Sequence, residues 1–519
     1  MPLTPVSGPL SQPPFSTLAA AIAAHASAQP HAVALYFEGD TICYGQLWQR
    51  VVSATPALQA LGVTNGKRVA YLGLNNPAEL VLFIALSRLG AIFTPLNYRL
   101  AAAELAAICE QAGVTLLVCD DLYFAVGERL KVAVALGFPI CHATLFDNSD
   151  QLGESKSEGF GPRHHTDTPA LLVYTSGTTG KPKGAVHTQA GLVANCMLSA
   201  DAHGLTAVDH VLTALPLFHV GGLCIQTIPA LYVGASLTLH PRFDASAWLR
   251  DVARRRPSMS LLVPATMRAI LASPDFASTD LASLRLISAG SSTIAAALIN
   301  GFHASGVPVC QVYGATETGP VSIYLKRADA VRCSGSAGKP GPGVRVRLVN
   351  ALGRDTPDGE VGELYISGPN VMQCYWQDLH NPAFADGWFR TGDLALRDAD
   401  GFYWVVGRLK DMIISGGENI YPAEIENLLM GCSSIAECAV VGQADDHWGE
   451  VAVAVVVPQP GSTLTAASVM ALFDNKLARF KQPKKIVFAS CLPKTATGKV
   501  QKALLAEQLT GRQGVVLKN

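Results

Sequence analysis

This sequence has no long apolar run and no excess of either charge, and its cysteines lack the spacing that metal sites use. Its 39 Lys and Arg residues nearly balance 40 Asp and Glu, giving a formal charge of −1. No overall field therefore draws in nucleic acid or an anionic membrane. The most apolar stretches, 79–91 and 451–457, are short or carry Arg88, and neither reaches the roughly 20 residues that span a bilayer. The twelve cysteines include no C-x-x-C pair, which argues against zinc ligation and a disulfide scaffold and suits reduced thiols in a cytoplasm. The opening MPLTPVSGPLSQPPF lacks the basic start and apolar run of a signal peptide. The expectation is a cytoplasmic protein with no nucleic-acid partner and no membrane span; assembly as a homodimer is left open.

What is present is enough apolar material for large cores. Hydrophobic residues make up 49% of the 519, and a chain of this length exceeds the roughly 250–300 residues at which single cores stop growing. Short apolar runs at 68–74, 114–119, 170–174, 210–215 and 284–288 alternate with helical patterns such as 78–89. That alternation predicts α/β layers with mostly parallel sheets. From 337 to 366 alternating residues (VRVRLV) between Gly, Pro and Asp turns predict a smaller antiparallel, barrel-like sheet. After the strand-like 402–406, GRLKD at 407–411 marks a boundary. The predicted fold is a large N-terminal domain, 1–409, of layered α/β subdomains plus the small sheet, followed by a small mobile α+β domain, 410–519.

The most informative segment is YTSGTTGKPKG at 174–184, an apolar strand running into a loop of glycines, hydroxyls and two lysines. Glycines let backbone N–H groups approach an anion, hydroxyls add donors and lysines add charge, a set suited to a polyphosphate. The spacing G-x-x-x-x-G-K-[ST] of the Walker loop is not met.

With YGATE at 313–317, TGD at 391–393, GRLKDMIISGGENIYPAEIE at 407–426 and LPKTATGKVQK at 492–502, the chain resembles the acyl-adenylate-forming superfamily over residues 15–509. That superfamily includes acyl- and aryl-CoA synthetases, luciferases and peptide-synthetase adenylation domains. The resemblance implies ATP, Mg²⁺ and coenzyme A as cofactors, with a carboxylic acid as the remaining partner. It places ATP or AMP on Thr175, Ser176, Gly177, Thr178, Thr179, Lys183, Gly290, Ser291, Tyr313, Gly314, Asp393 and Arg408. Glu317 is implied as the Mg²⁺ ligand, an oxygen donor suited to a hard cation. Asp393, expected after a strand and a turn, would take the ribose hydroxyls. Thr316, Glu317, His219 and Lys499 form the implied catalytic set; Lys499 would stabilise charge developing as carboxylate attacks phosphorus. Lys410 occupies the hinge position about which the small domain would swing.

For coenzyme A the resemblance implies Ser415, Gly416, Gly417, Trp448, Phe480, Lys481 and Lys484. Gln482 departs from relatives that carry Arg there, and the bland alternative for Trp448 and Phe480 is that both are core aromatics. His219, Val220, Gly221, Gly222, Ala289, Val312, Gly319 and Pro320 are expected to line the acyl pocket. All but His219 are apolar or small, and no Lys or Arg occurs from 219 to 240. The pocket is thus expected to take a fatty acid of medium or long chain or an aromatic acid, not a dicarboxylate. A carrier protein's phosphopantetheine is the alternative acceptor.

Overall fold

A computed structural model describes residues 10–134, 137–146, 166–175, 182–290, 294–416, 418–474, 476–495 and 499–510. Two large sheets form the body. In the nine-stranded sheet, Val33–Phe37, Ser236–Leu239, His210–Thr213, Met259–Leu262, Leu286–Ala289 and Val309–Tyr313 run parallel, with antiparallel strands at both edges. The seven-stranded sheet is parallel through Ile140–His142, Leu116–Cys119, Arg68–Leu72, Ile92–Pro95 and Pro169–Thr175, then turns antiparallel at Lys183–Thr188. Strands buried on both faces read as continuous apolar runs, which is why composition alone marked them.

The helix Pro77–Leu89 shows how local chemistry sets the connections. Asn76 caps it by accepting from Ala78 N at 2.8 Å, Pro77 occupies the first turn, and Gly90 ends it in a left-handed conformation. It is buried almost throughout and shares one apolar core with Leu18–Ala28 and both large sheets.

The expected smaller sheet is present and antiparallel, built from Arg345–Val349, Gly362–Ser367, Trp388–Arg397, Phe384–Ala385 and Tyr403–Arg408. One sequence expectation needs correcting. Asp393 lies inside the ten-residue strand Trp388–Arg397, not after a strand and a turn. The glycine of TGD reads as a turn, yet Gly392 takes its positive φ within the strand, beside a register shift at Leu394/Ala395.

Beyond the short turn Leu409–Asp411 lies a separate five-stranded sheet with its own helices. Its two apolar clusters draw buried members only from residues 413–505, so the small C-terminal domain has a core of its own.

Candidate active site

Parallel sheets present their ligand-binding crevices at the carboxyl ends of their strands. Here Leu286–Ala289 and Val309–Tyr313 are parallel neighbours, and they deliver Gly290 and Tyr313-Gly314 to the same edge. Gly314 has no alternative: a Cβ there would sit 1.8 Å from the carbonyl oxygen of Pro320. The close approach folds the chain back into a single tight turn, Thr316–Thr318, pinned by Ala315 N donating to Thr318 Oγ1 at 2.8 Å.

This turn is held from the opposite sheet. His187, on Lys183–Thr188, donates from Nε2 to the carbonyl of Thr316 at 2.7 Å. Burial lowers its pKa to about 4, against the opposing pull of the Thr316 carbonyl, so the ring is neutral and its donor is fixed. Tyr375 donates to Glu317 Oε1 at 2.8 Å, and its ring lies 5.1 Å from the ammonium of Lys183. Burial, then the charge of Glu317, raises the Tyr375 pKa, so it remains a donor. Lys183 pairs across the ladder with Thr175. Ser176, Gly177, Thr178, Thr179 and Ser291 lie outside the described residues. Sequence reasoning missed His187 and Tyr375, which stand outside every motif.

Across the cleft, Asp393 is 7% exposed and engaged on both oxygens. Oδ2 accepts from Tyr313 Oη at 2.6 Å and Oδ1 lies 2.7 Å from Arg408 Nε. A carboxylate offers about four lone-pair sites, so further donors can still be accepted. Burial, then Asp393, raises the Tyr313 pKa. Burial opposes the charge on Arg408, but Asp393, Tyr313, Asp411 and Glu317 outweigh it and hold its pKa above the usual value.

Lys499 lies within electrostatic reach of this same carboxylate. Its residue surface keeps solvent contact, yet the ammonium stands close enough to protein to lose hydration. Burial, then the like charge of Arg408, lowers its pKa, with Asp393 opposing and Lys410 and Asp411 adding smaller effects. A strand of the large domain and the tail of the small one thus bring their charges within electrostatic reach of each other.

His219, Val220, Gly221 and Gly222 open the helical segment after His210–Thr213, on the carboxyl edge of the same sheet. Gly221 N donates to His219 Nδ1 at 3.0 Å, and burial lowers the pKa of the ring; the neutral ring therefore carries its proton on Nε2. Val220, Ala289 and Val312 are buried, as are Gly319 and Pro320 after the Thr316–Thr318 turn.

The aromatics of the small domain are not core residues. Trp448 is 45% and Phe480 43% exposed. Gly416, at φ +58, lies beneath the indole and donates its N–H to Trp448 O at 2.8 Å; a Cβ there would meet the ring at 2.7 Å. Ser415 ends the strand beside it, Gly417 lies outside the described residues, and the Lys484 ammonium stands 5.8 Å from the Trp448 ring. Lys481 is engaged with both carboxylate oxygens of Glu424, at 3.0 and 2.9 Å, and Gln482 donates to Leu477 O.

Comparison with known proteins matches this architecture throughout. The AMP-binding enzyme family matches residues 22–376 and the AMP-binding enzyme C-terminal domain residues 424–499. The chain is 46% identical over 490 residues to the indoleacetate–CoA ligase of Aromatoleum aromaticum, covering 92% of this chain and 95% of that one. It is 40% identical over 475 residues to the feruloyl-CoA synthase of an Amycolatopsis species, covering 91% and 95%. Among solved structures, an anthranilate–CoA ligase in complex with anthranoyl-AMP superposes with a TM-score of 0.88 at 28% identity, covering 96% and 97%. ATP-bound MatB from Rhodopseudomonas palustris gives 0.86 at 31%, covering 95% and 99%. Fold and comparisons together define an ATP-binding, AMP-forming acid–thiol ligase. The chain belongs to the AMP-binding enzyme family. Among the described residues no helix is long and apolar enough to cross a membrane.

Proposed function

We propose that this ligase activates an aromatic carboxylic acid and transfers it to coenzyme A. A carboxylate oxygen attacks the α-phosphorus of ATP, the α–β anhydride bond breaks, and pyrophosphate leaves. The coenzyme A thiol, losing its proton, then attacks the acyl carbonyl and AMP departs.

Asp393 and Arg408 hold the ribose, Tyr313 and Gly290 face the base, and Thr316, Thr175 and Lys183 contact phosphate. Lys499 stabilises negative charge on the oxygens around the reacting phosphorus. Glu317, an oxygen donor suited to a hard cation, would hold Mg²⁺, because Tyr375 engages Oε1 and Oε2 is the oxygen that would face the ion. When bound, that ion offsets phosphate charge. Gly416 and Trp448 would meet coenzyme A once the small domain turns about Lys410.

The observation that carries the aromatic reading is the pocket helix. It is largely buried and uncharged, has no cationic side chain from 219 to 240, and belongs to a chain whose relatives at 46% and 40% are named for indoleacetate and feruloyl substrates. A carrier-protein acceptor is the second reading, favoured by 33% identity over 522 residues to a fatty acid–[acyl-carrier-protein] ligase. Reduced thiols fit a cytoplasmic setting, since all twelve cysteines are free. The test is Mg²⁺-dependent pyrophosphate release across a panel of aryl, fatty and dicarboxylic acids, then thioester formation with coenzyme A beside a phosphopantetheinylated carrier. Release with decanoate or malonate but with no aryl acid overturns the reading.

A further inference from the structure

The helical segment that begins at Val220 changes pitch almost at once. Val220–Gly222 is α-helical, Leu223–Thr227 is π-helical, and Ile228–Val233 is α-helical again. Such turns recur at functional sites. Three side chains satisfy carbonyls here: Asn195 Nδ2 donates to Cys224 O at 2.7 Å, Ser199 Oγ to Ile225 O, and Thr227 Oγ1 to Gly222 O at 2.6 Å.

Gln226 breaks the pattern. It is 1% exposed, and among the described residues neither Oε1 nor Nε2 has a hydrogen-bond partner. A buried amide without partners destabilises a fold, so each such group in a native structure calls for a reason. Its position supplies one. Gln226 lies one turn along from Gly222 on the helix expected to wall the acyl pocket. Its neighbour Ile225 belongs to the same apolar cluster as Val312 and Leu261, with Tyr313 packed against it.

We propose that Gln226 is the polar specificity determinant of the acyl site, hydrogen-bonding an uncharged N–H or O–H group on the aromatic part of the acid. This rests on the aromatic reading above and adds what that reading leaves open, the kind of ring. A carboxamide both accepts and donates, so it suits a heteroaromatic N–H or a phenol. It is neutral, and no Lys or Arg lies between 219 and 240, so a charged substituent has no partner there. A pocket built around such a bond rejects an analogue lacking the polar group far more strongly than a purely apolar pocket discriminates by shape.

The experiment compares pyrophosphate release for matched pairs, indole-3-acetate against naphthalene-1-acetate and 4-hydroxyphenylacetate against phenylacetate. The wild-type chain should favour the polar member of at least one pair by about a hundredfold in kcat/KM. Gln226→Met, similar in length, should reduce that ratio to within about threefold of unity, mainly through KM. Without acid it should also melt higher, because the unpaired amide is gone. Gln226→Leu repeats the readout should the first variant fail to fold. An unchanged ratio in a folded variant, or equal handling of both pairs by the wild type, overturns this inference alone. Failure of every aryl acid overturns the aromatic reading and this inference with it.

Discussion

Arg408 Nε lies 2.7 Å from Asp393 Oδ1, and that pair joins the last strand before the small domain, Tyr403–Arg408, to the strand Trp388–Arg397. Tyr313 fills the other oxygen at 2.6 Å, so one carboxylate orients both partners before any nucleotide arrives. Asp393→Asn removes the charge, weakens Arg408's anchor and leaves one acceptor where there were two. Hydrogen bonds to charged groups contribute about 1.5–3 kcal/mol, so the KM for ATP should rise roughly tenfold to a hundredfold in a pyrophosphate-release assay. An unaltered KM would place the ribose elsewhere.

In its proposed role Lys499 acts only as a cation, and its surroundings make that charge harder to keep. Its pKa is lowered from the ordinary 10.5, by burial first and by Arg408 second. The charged form is therefore lost at a lower pH than for a solvated lysine. Adenylation should decline on the alkaline side from that lowered pKa, whereas thioester formation from supplied acyl-AMP should not share the limb. Lys499→Ala should cut adenylation by about a hundredfold or more and leave the second half-reaction largely intact. Lys499→Arg, always protonated, should abolish the alkaline limb whatever rate it retains. Equal losses in both half-reactions would refute the division of labour.

His187 links acid stability to site geometry. Its folded pKa is about 4 against 6.5 ordinarily, so the unfolded chain binds the proton more readily than the folded one. Stability is therefore full above about pH 6.5 and is lost as pH falls toward 4. At roughly 1.4 kcal/mol per pKa unit, the loss from this buried ring reaches about 3 kcal/mol. His187→Gln keeps an N–H for the Thr316 carbonyl but cannot titrate, so its Tm should fall less between pH 6.5 and 4. His203, also pushed to about 4, titrates in both proteins and cancels in the difference. Parallel curves would show that His187 is not held neutral.

Much of this architecture is legible in the residues because its strands are buried on both faces and stand out as apolar bursts. Where neighbours in sequence form the structure, a motif is a compact local unit, as in the turn Thr316–Thr318 around Glu317. Asp393 was misplaced because a glycine with positive φ reads as a turn although here it sits within a strand. His187, Tyr375 and Gln226 were missed for a different reason. Their significance lies in partners 129 and 58 residues away for the first two, and in the absence of any partner for Gln226 among the described residues. No local pattern records such relationships. Trp448 illustrates the converse, since exposure alone separates it from a core residue, and no pattern of neighbouring residues reports that exposure.

The last prediction concerns the turn Leu409–Asp411. It connects two sheets whose apolar clusters share no buried member, and Lys410 within it is exposed. In this arrangement Lys499 lies within electrostatic reach of Asp393 while Trp448 and Phe480 remain open to solvent, the arrangement that the proposed adenylation step would use. In the proposed scheme the second half-reaction uses the other face, with residues near 410 absorbing the rotation. A 3₁₀ turn holds φ near the value that proline enforces, so Lys410→Pro suits the present arrangement and resists leaving it. Pyrophosphate release should stay within about twofold of wild type, and coenzyme A thioester formation should fall by at least about tenfold. Trp448→Ala should instead raise the KM for coenzyme A and leave pyrophosphate release untouched. Full overall turnover in the proline variant would mean that the small domain pivots at another residue, or does not pivot.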